Sequence, residues 1–191
     1  QAAIAERRKE VAAITADPAA PSFANTVEAL EDGGRLLDKV SGVFFNLVAA
    51  DTNEALQKVQ QEITPQLSAL QDDIGLDAAL FARVKAVWER RDQLDLNAEQ
   101  RKLLEETYKG FVRGGANLPA EKQKRFRDIN RELAELSVTF GNNLLAETNA
   151  YRLVIDKQAD LAGLPPTAVS AAAEAAKKAG LEGTWVFTLQ P

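Results

Sequence analysis

The 191-residue chain carries 23 Lys plus Arg against 28 Asp plus Glu, a net charge of −5, and contains no histidine, cysteine or methionine. Phosphate affinity needs concentrated positive charge, so this balance excludes a general nucleic-acid or anionic-membrane binder. The lack of cysteine excludes a disulfide framework without fixing a compartment, and the side chains that most often ligate catalytic zinc or serve as base and nucleophile near neutrality are missing. At this length the chain can bury one large core, or one core plus the beginning of a second domain, without metals or disulfides.

Taken in order, Ile4, Val11 and Ile14 mark a first helix that should end at Asp17-Pro18. From Val27 the positions Leu30, Leu37, Val40, Phe44, Leu47 and Val48 recur at helical spacing and predict one long helix, capped by Asn25 or Thr26. Gly33-Gly34 lies inside it and costs up to about 1 kcal/mol per glycine relative to alanine, so a neighbouring helix packs close there or the helix bends. Asp51-Thr52-Asn53 makes a turn and a cap, and Leu56, Val59, Ile63, Leu67, Leu70 and Ile74 form the next stripe, with a kink expected at Pro65. A third stripe through Leu80, Phe81, Val84, Val87 and Trp88 starts near Asp77. A fourth begins at the capping box Asn97 and Gln100, runs through Leu103, Leu104, Phe111 and Val112, and ends at Gly114-Gly115.

Pro119 suits the first position of a fifth long helix, whose stripe Phe126, Ile129, Leu133, Leu136, Phe140 and Leu144 keeps near-heptad spacing. Beyond it the character changes. Tyr151 to Asp156 alternates like a strand, Leu164-Pro165-Pro166 breaks the chain, Ala168 to Ala179 is an alanine-rich helix stopped by Gly180, and Trp185 to Leu189 is a second strand able to pair antiparallel with the first at the edge of the bundle. The expected fold is therefore mainly α: a bundle of long antiparallel helices over residues 1–150, then a strand-helix-strand segment over 151–191. The most continuous apolar run, Val43 to Ala50, is far short of the roughly 20 residues a membrane helix requires. The chain opens at Gln1 on a charged stretch, Glu6 to Glu10, and closes on an apolar run ending at Pro191; both ends lead to the expectation that the gene product extends further.

Candidate chemistry is sparse. The acidic pairs Glu31-Asp32, Asp72-Asp73 and Glu105-Glu106 each join neighbours roughly 100° apart around a helix, so they do not converge on one point and are expected on solvated faces. A carboxylate-only metal site in the bundle is a third-ranked alternative, for the usual di-iron pattern needs histidine. Lys122, Lys124, Arg125, Arg127 and Arg131 are interleaved with Glu121, Asp128 and Glu132, which fits an outer face laced with ion pairs. Phe44, Phe45, Phe81, Trp88, Phe126 and Phe140 fall on or beside the apolar stripes and are expected in the core. The glycine pairs match no dinucleotide or phosphate loop, and no Ser-x-x-Lys spacing occurs, so no catalytic constellation is recognisable.

The order of segments carries more. Pro21-Ser22-Phe23-Ala24-Asn25-Thr26-Val27-Glu28-Ala29-Leu30, then Val40-Ser41-Gly42-Val43-Phe44-Phe45-Asn46-Leu47, then Asp51-Thr52-Asn53, resembles the amino-terminal helices of the thimet oligopeptidase and peptidyl-dipeptidase family. In the same order, Leu80-Phe81-Ala82-Arg83-Val84-Lys85, Phe111-Val112-Arg113-Gly114-Gly115-Ala116, Phe140 to Asn149 and Gly180 to Gln190 are similar to further segments of that family, above all of its bacterial peptidyl-dipeptidase branch. One departure is Leu70, which stands where relatives are expected to carry a histidine; this argues against a polar role there.

The resemblance implies a division of labour. Family members are zinc peptidases whose His-Glu-x-x-His helix and additional glutamate ligand lie in the second half of a much longer chain, so no catalytic, cofactor-binding or metal residue carries over to any position here. It implies that residues 1–150 form one wall of a substrate channel and that 151–191 lead into a catalytic domain absent from this chain. The parent would use zinc to remove C-terminal dipeptides from short peptides, whereas this chain alone would bind no cofactor and be inactive. The partners implied are short peptides and the parent's own catalytic domain, with neither nucleic acid nor membrane, and with non-native self-association open to the isolated chain. The expected location is the bacterial cytoplasm, or the periplasm if a leader was removed. The alternative is a stand-alone helical scaffold or interaction domain without enzymatic activity.

Overall fold

The computed structural model describes residues 1–189; Gln190 and Pro191, with which the last resembling segment and the expected apolar end close, lie outside the described residues. Of the chain, 75% is helical and the described strands form a two-stranded antiparallel sheet near the C-terminal end, which bears out the mainly α expectation. It divides into two compact units, 1–138 and 139–191.

In the first unit, α1 (Ala2–Ala16) is followed by a six-residue π-type turn, Phe23–Glu28, that runs into the short α2 (Ala29–Asp32). The expected start at Val27 is thus too late. Ser22, not Asn25 or Thr26, is the cap: its hydroxyl accepts from the Asn25 N–H at 3.1 Å, and the Ser22 N–H donates to Asn25 Oδ1 at 2.8 Å. A second correction concerns the long helix expected through Gly33-Gly34. The chain breaks there, Gly34 taking φ 84°, and α3 (Arg35–Ala50) starts afresh. Periodicity is continuous across the break because a two-residue irregularity leaves Leu30 and Leu37 in step; the cause is the packing of Arg7 and Glu10 from α1 against the two glycines.

The remaining starts obey their caps. Asn53 Oδ1 accepts from the Leu56 N–H at the head of α4 (Glu54–Gly75), which runs unbroken through Pro65. Asp77 Oδ1 accepts from Ala79 and Leu80 ahead of α5 (Ala78–Glu89), and the Asn97–Gln100 box opens α6 (Ala98–Arg113). Gly115, at φ 93°, closes α6 with the Ala116 N–H donating back to Phe111 O. α7 (Ala120–Ala150) begins one residue after Pro119, and the division between the units falls within it.

The core of this unit is built around α5. Leu80, Val84 and Val87 are fully buried and meet Val11 and Ile14 of α1, Phe111 and Leu104 of α6, and Phe23 and Val27 of the π-type turn. Stacked rings extend it: Phe81 against Phe111 and Tyr108, and Trp88 against Tyr108 with centroids 4.8 Å apart. By contrast α3 buries no residue, and Leu36, Val40, Val43 and Leu47 are exposed, as are Ile129, Leu133 and Leu136 of α7.

In the second unit, β1 (Leu153–Ile155) and β2 (Trp185–Phe187) pair antiparallel with Val154 opposite Val186, both strands shorter than expected. α8 (Pro166–Lys178) packs on β2 and buries Ala172 and Ala176 with Leu161 and Val186. Gly180, at φ 74°, stops α8, with the Leu181 N–H reaching Ala176 O at 2.9 Å. Phe140 is 70% exposed, which corrects its placement in the core, and Leu144 of the same stripe is exposed with it: spacing identifies an apolar face but not its cover. No described helix is long and apolar enough to cross a membrane.

The contrast between α5 and α3 is measurable. Leu80→Ala should cost about 2–5 kcal/mol by urea denaturation, whereas Val43→Ala on α3 should stay within about 0.5 kcal/mol. Equal costs would contradict this placement of the core.

Candidate functional site

The first unit holds a cleft of about 640 Å³ bounded by α2, the start of α3, the C-terminal end of α4, α6 and α7. Its apolar lining comes from Leu30, Leu37, Leu70, Ile74, Phe111 and Phe126, and its charged lining from Arg7, Glu31, Asp38 and Asp72. Leu70, where a histidine was expected from the resemblance, is 2% exposed and contributes only apolar surface.

Polar contacts from α1 and α7 hold the margins. Arg7 Nη2 donates to the Leu30 carbonyl at 2.8 Å, capping the end of α2, while Glu10 Oε2 accepts from the Gly34 N–H at 2.7 Å and from Arg7 Nη1 at 3.2 Å. Cation at a helix C-terminus and anion at the next N-terminus both complement the helix dipoles. A Cβ on Gly33 would lie 2.0 Å from Arg7 Nη1, so a side chain there would displace the guanidinium. Across the cleft, Asn130 Nδ2 of α7 donates to Asp72 Oδ1 at 2.6 Å. Asp73, beside it, receives Arg8 Nη2 at 2.6 Å and Arg127 Nη1 at 2.8 Å, tying α1 and α7 to α4.

These contacts revise the expected solvated faces. Asp72 is only 8% exposed, because α4 turns it toward Asn130, whereas Asp73 is exposed as expected. Glu31 and Asp32 are exposed, and Asp32 pairs with Arg35 at 2.8 Å. Glu105 and Glu106 lie on the face of α6 with Lys102 and Lys109. The hydrogen bond from Lys109, followed by the charge of Lys102, holds the Glu105 carboxyl below its ordinary value; the bond from Lys102 does the same for Glu106 and raises Lys102 in return. Of the basic cluster, Lys122, Lys124 and Arg125 are exposed, Arg131 pairs with Asp128 along α7, and Arg127 reaches across to α4.

Arg83 was not singled out by sequence reasoning. It is buried to 8% exposure, and Nη1 donates to the carbonyls of Asp17 at 2.9 Å and Ala19 at 3.3 Å, while Nη2 lies 3.5 Å from Asp17 Oδ2. It therefore holds the segment that leaves α1. The available signal was its position between Leu80 and Val87 on the buried stripe, where an arginine needs partners.

Chemically, the cleft offers apolar surface and charges already engaged in structural bonds. Its lining includes no histidine, cysteine or lysine, and among the described residues no group of three His, Cys, Asp or Glu side chains is placed to hold a metal ion. It can receive a chain or side chain but presents no nucleophile held by a base.

No family model matches the chain. Individual relatives do. It is 43% identical over 186 residues to the dipeptidyl carboxypeptidase of Salmonella typhimurium and 40% identical over 184 residues to that of Escherichia coli, covering 97% and 96% of this chain but 27% of each relative. Oligopeptidase A of Haemophilus influenzae is 29% identical over 169 residues, 88% of this chain and 25% of its own length. The chain thus spans about a quarter of the curated relatives it matches, and the match falls in their amino-terminal part. It is homologous over nearly its whole length to peptidases. Those relatives are the dipeptidyl carboxypeptidases and oligopeptidases A of the thimet oligopeptidase family.

The acidic pair on α6 yields a pH prediction. Because the folded values of Glu105 and Glu106 are lowered, their contribution is present above the ordinary carboxylate value of 4.5 and is lost as pH falls through the folded values. The melting temperatures of the chain and of Glu105→Gln should therefore differ near neutrality and converge on acidification; a constant difference would refute the assignment.

Proposed function

We propose that this chain is the amino-terminal, non-catalytic part of a zinc metallopeptidase that removes C-terminal dipeptides from short peptides, and that its helices supply one wall of the substrate channel. The observation that carries the reading is the match of nearly the whole chain to about a quarter of two dipeptidyl carboxypeptidases. The chemistry of the donors agrees. With no histidine or cysteine and no described carboxylate cluster, these residues do not fit a zinc site, so the ligands of a zinc peptidase would come from polypeptide outside this chain.

The surface also supports it. Leu36, Val40, Val43 and Leu47 on α3, and Ile129, Leu133 and Leu136 on α7, form apolar rows that an independent domain would ordinarily bury. In the proposed parent they turn toward the remaining polypeptide. The part played by this chain is steric: its helices narrow the access of peptides to a reaction centre carried elsewhere, and the zinc held there would polarise the attacking water.

Reading the gene beyond Pro191 is the direct test. An open frame encoding His-Glu-x-x-His is expected, and a stop codon or a continuation without that motif would favour the scaffold alternative. A purified 191-residue chain supplied with zinc should release no dipeptide from short peptides, while the parent should do so in a chelator-sensitive manner. Cleavage by the chain itself would overturn the proposal.

A further inference from the structure

We propose that the cleft of the first unit binds a primary ammonium ion carried on an apolar stem, and that the carboxylate of Asp72 is its anchor. The inference rests on the first unit alone and stands apart from the peptidase reading.

The anchor is a buried charge without a counter-charge. Asp72 is 8% exposed and lines the cleft, yet the one described bond of its carboxylate comes from a neutral donor, Asn130 Nδ2, 2.6 Å from Oδ1. Among the described residues no donor reaches Oδ2 and no lysine or arginine pairs with the carboxylate, for Arg8 and Arg127 are both taken by Asp73 beside it. A buried carboxylate is costly unless a cation meets it, and the space open to one is the cleft. Its burial comes from within the unit, so the unpaired charge does not follow from the uncovered rows on α3 and α7.

The surroundings favour the same sign. Glu31 and Asp38 line the cleft as exposed carboxylates, and the one cation among the described lining residues, Arg7, has Nη1 bonded to Glu10 and Nη2 to the Leu30 carbonyl. The last turns of α4 and α6 also border the space, through Ile74 and Gly75 and through Gly110 and Phe111, and helix C-termini carry partial negative charge that attracts cations. A Cβ at Gly75 or Gly110 would meet nothing within 4 Å, so no side chain shields these helix ends there.

Geometry selects the form of the cation. Asn130 already occupies Oδ1, so a single oxygen is open, which suits the point charge of an ammonium better than the two-pronged fork of a guanidinium. Leu37 of α3, Leu70 of α4, Phe111 of α6 and Phe126 of α7 line the same space and would receive an apolar stem. At about 640 Å³ the cleft falls within the roughly 300–1,000 Å³ of small-ligand sites. A free amine and the lysine side chain of a peptide both offer this chemistry.

Titration of the full chain with phenylbutylamine, followed by amide chemical shifts, tests the site. Saturable shifts are expected at Ile74, Gly75 and Gly110 and in the side-chain amide of Asn130, whereas the neutral analogue phenylbutanol should leave these signals in place. Asp72→Asn should weaken binding of the amine roughly tenfold or more, while Glu106→Gln, which removes the same charge outside the cleft lining, should leave it unchanged. A blocked Leu-Lys-Leu peptide, titrated alongside, separates the sources: tighter binding than the amine assigns the site to lysine side chains, weaker binding to free amines. The proposal is overturned if neither ligand binds saturably, if amine and alcohol bind equally, if the shifts fall outside the cleft, or if folded Asp72→Asn keeps full affinity. Should Asp72→Asn lose helicity by circular dichroism, the comparison of amine with alcohol on the unsubstituted chain decides.

Discussion

The first unit depends on one buried face, that of α5. Leu80, Val84 and Val87 leave the water completely, and each fully buried side chain of this kind contributes roughly 1.5–3 kcal/mol. Around that face are gathered α1, the π-type turn and α6, while the stacked rings of Phe111, Phe81, Tyr108 and Trp88 extend the contact along α6. Arg83, on the same helix, uses its buried guanidinium to hold the carbonyls of Asp17 and Ala19 just beyond α1. Removing this guanidinium would take a donor from the carbonyls of Asp17 and Ala19, so α5 holds the chain leaving α1 by polar means as well as its flank by apolar ones.

Once α1 is fixed, it positions both ends of the α3–α4 excursion. Arg7 and Glu10 lie one turn apart and reach the glycine pair at which α2 gives way to α3, and Arg8 reaches Asp73 near the end of α4. A single helix, whose own place is set by α5, thus secures the two ends. Charged bonds do this at the margin of the cleft, whose floor shares Phe111, Leu30 and Ile74 with the apolar core. Exposed and half-exposed ion pairs such as those on Asp73 contribute little to stability compared with the buried face.

Much of the secondary structure was legible because it is written in local chemistry. Asn53, Asp77 and the Asn97–Gln100 box each satisfy helix N–H groups within three residues, so the starts of α4, α5 and α6 could be read directly. The break at Gly33-Gly34 could not, since the side chains that impose it come from more than twenty residues upstream. Periodicity likewise found the apolar faces of α3 and α7 but could not tell that Val43 and Phe140 remain in water, for cover is a property of tertiary structure. Asp72 and Asp73 make the same point for polar residues: adjacent in sequence, one is buried against Asn130 and the other gathers two arginines at the surface. Arg83 was the nearest to legible, being a charge set among the buried positions of its own stripe.

The uncovered rows and the absent zinc ligands lead to one account. This polypeptide has a core around α5 and apolar faces on α3 and α7 that its described residues leave exposed, and it matches about a quarter of longer peptidases. On the proposed reading the rest of the parent supplies both the cover and the chemistry. Hydroxyl-radical footprinting of the isolated chain against the parent protein tests that most directly. The account predicts that Val40, Val43, Leu133 and Leu136 are labelled in the isolated chain and protected in the parent, while Leu80 and Val84 are protected in both. Equal labelling of the four exposed residues in chain and parent would contradict it.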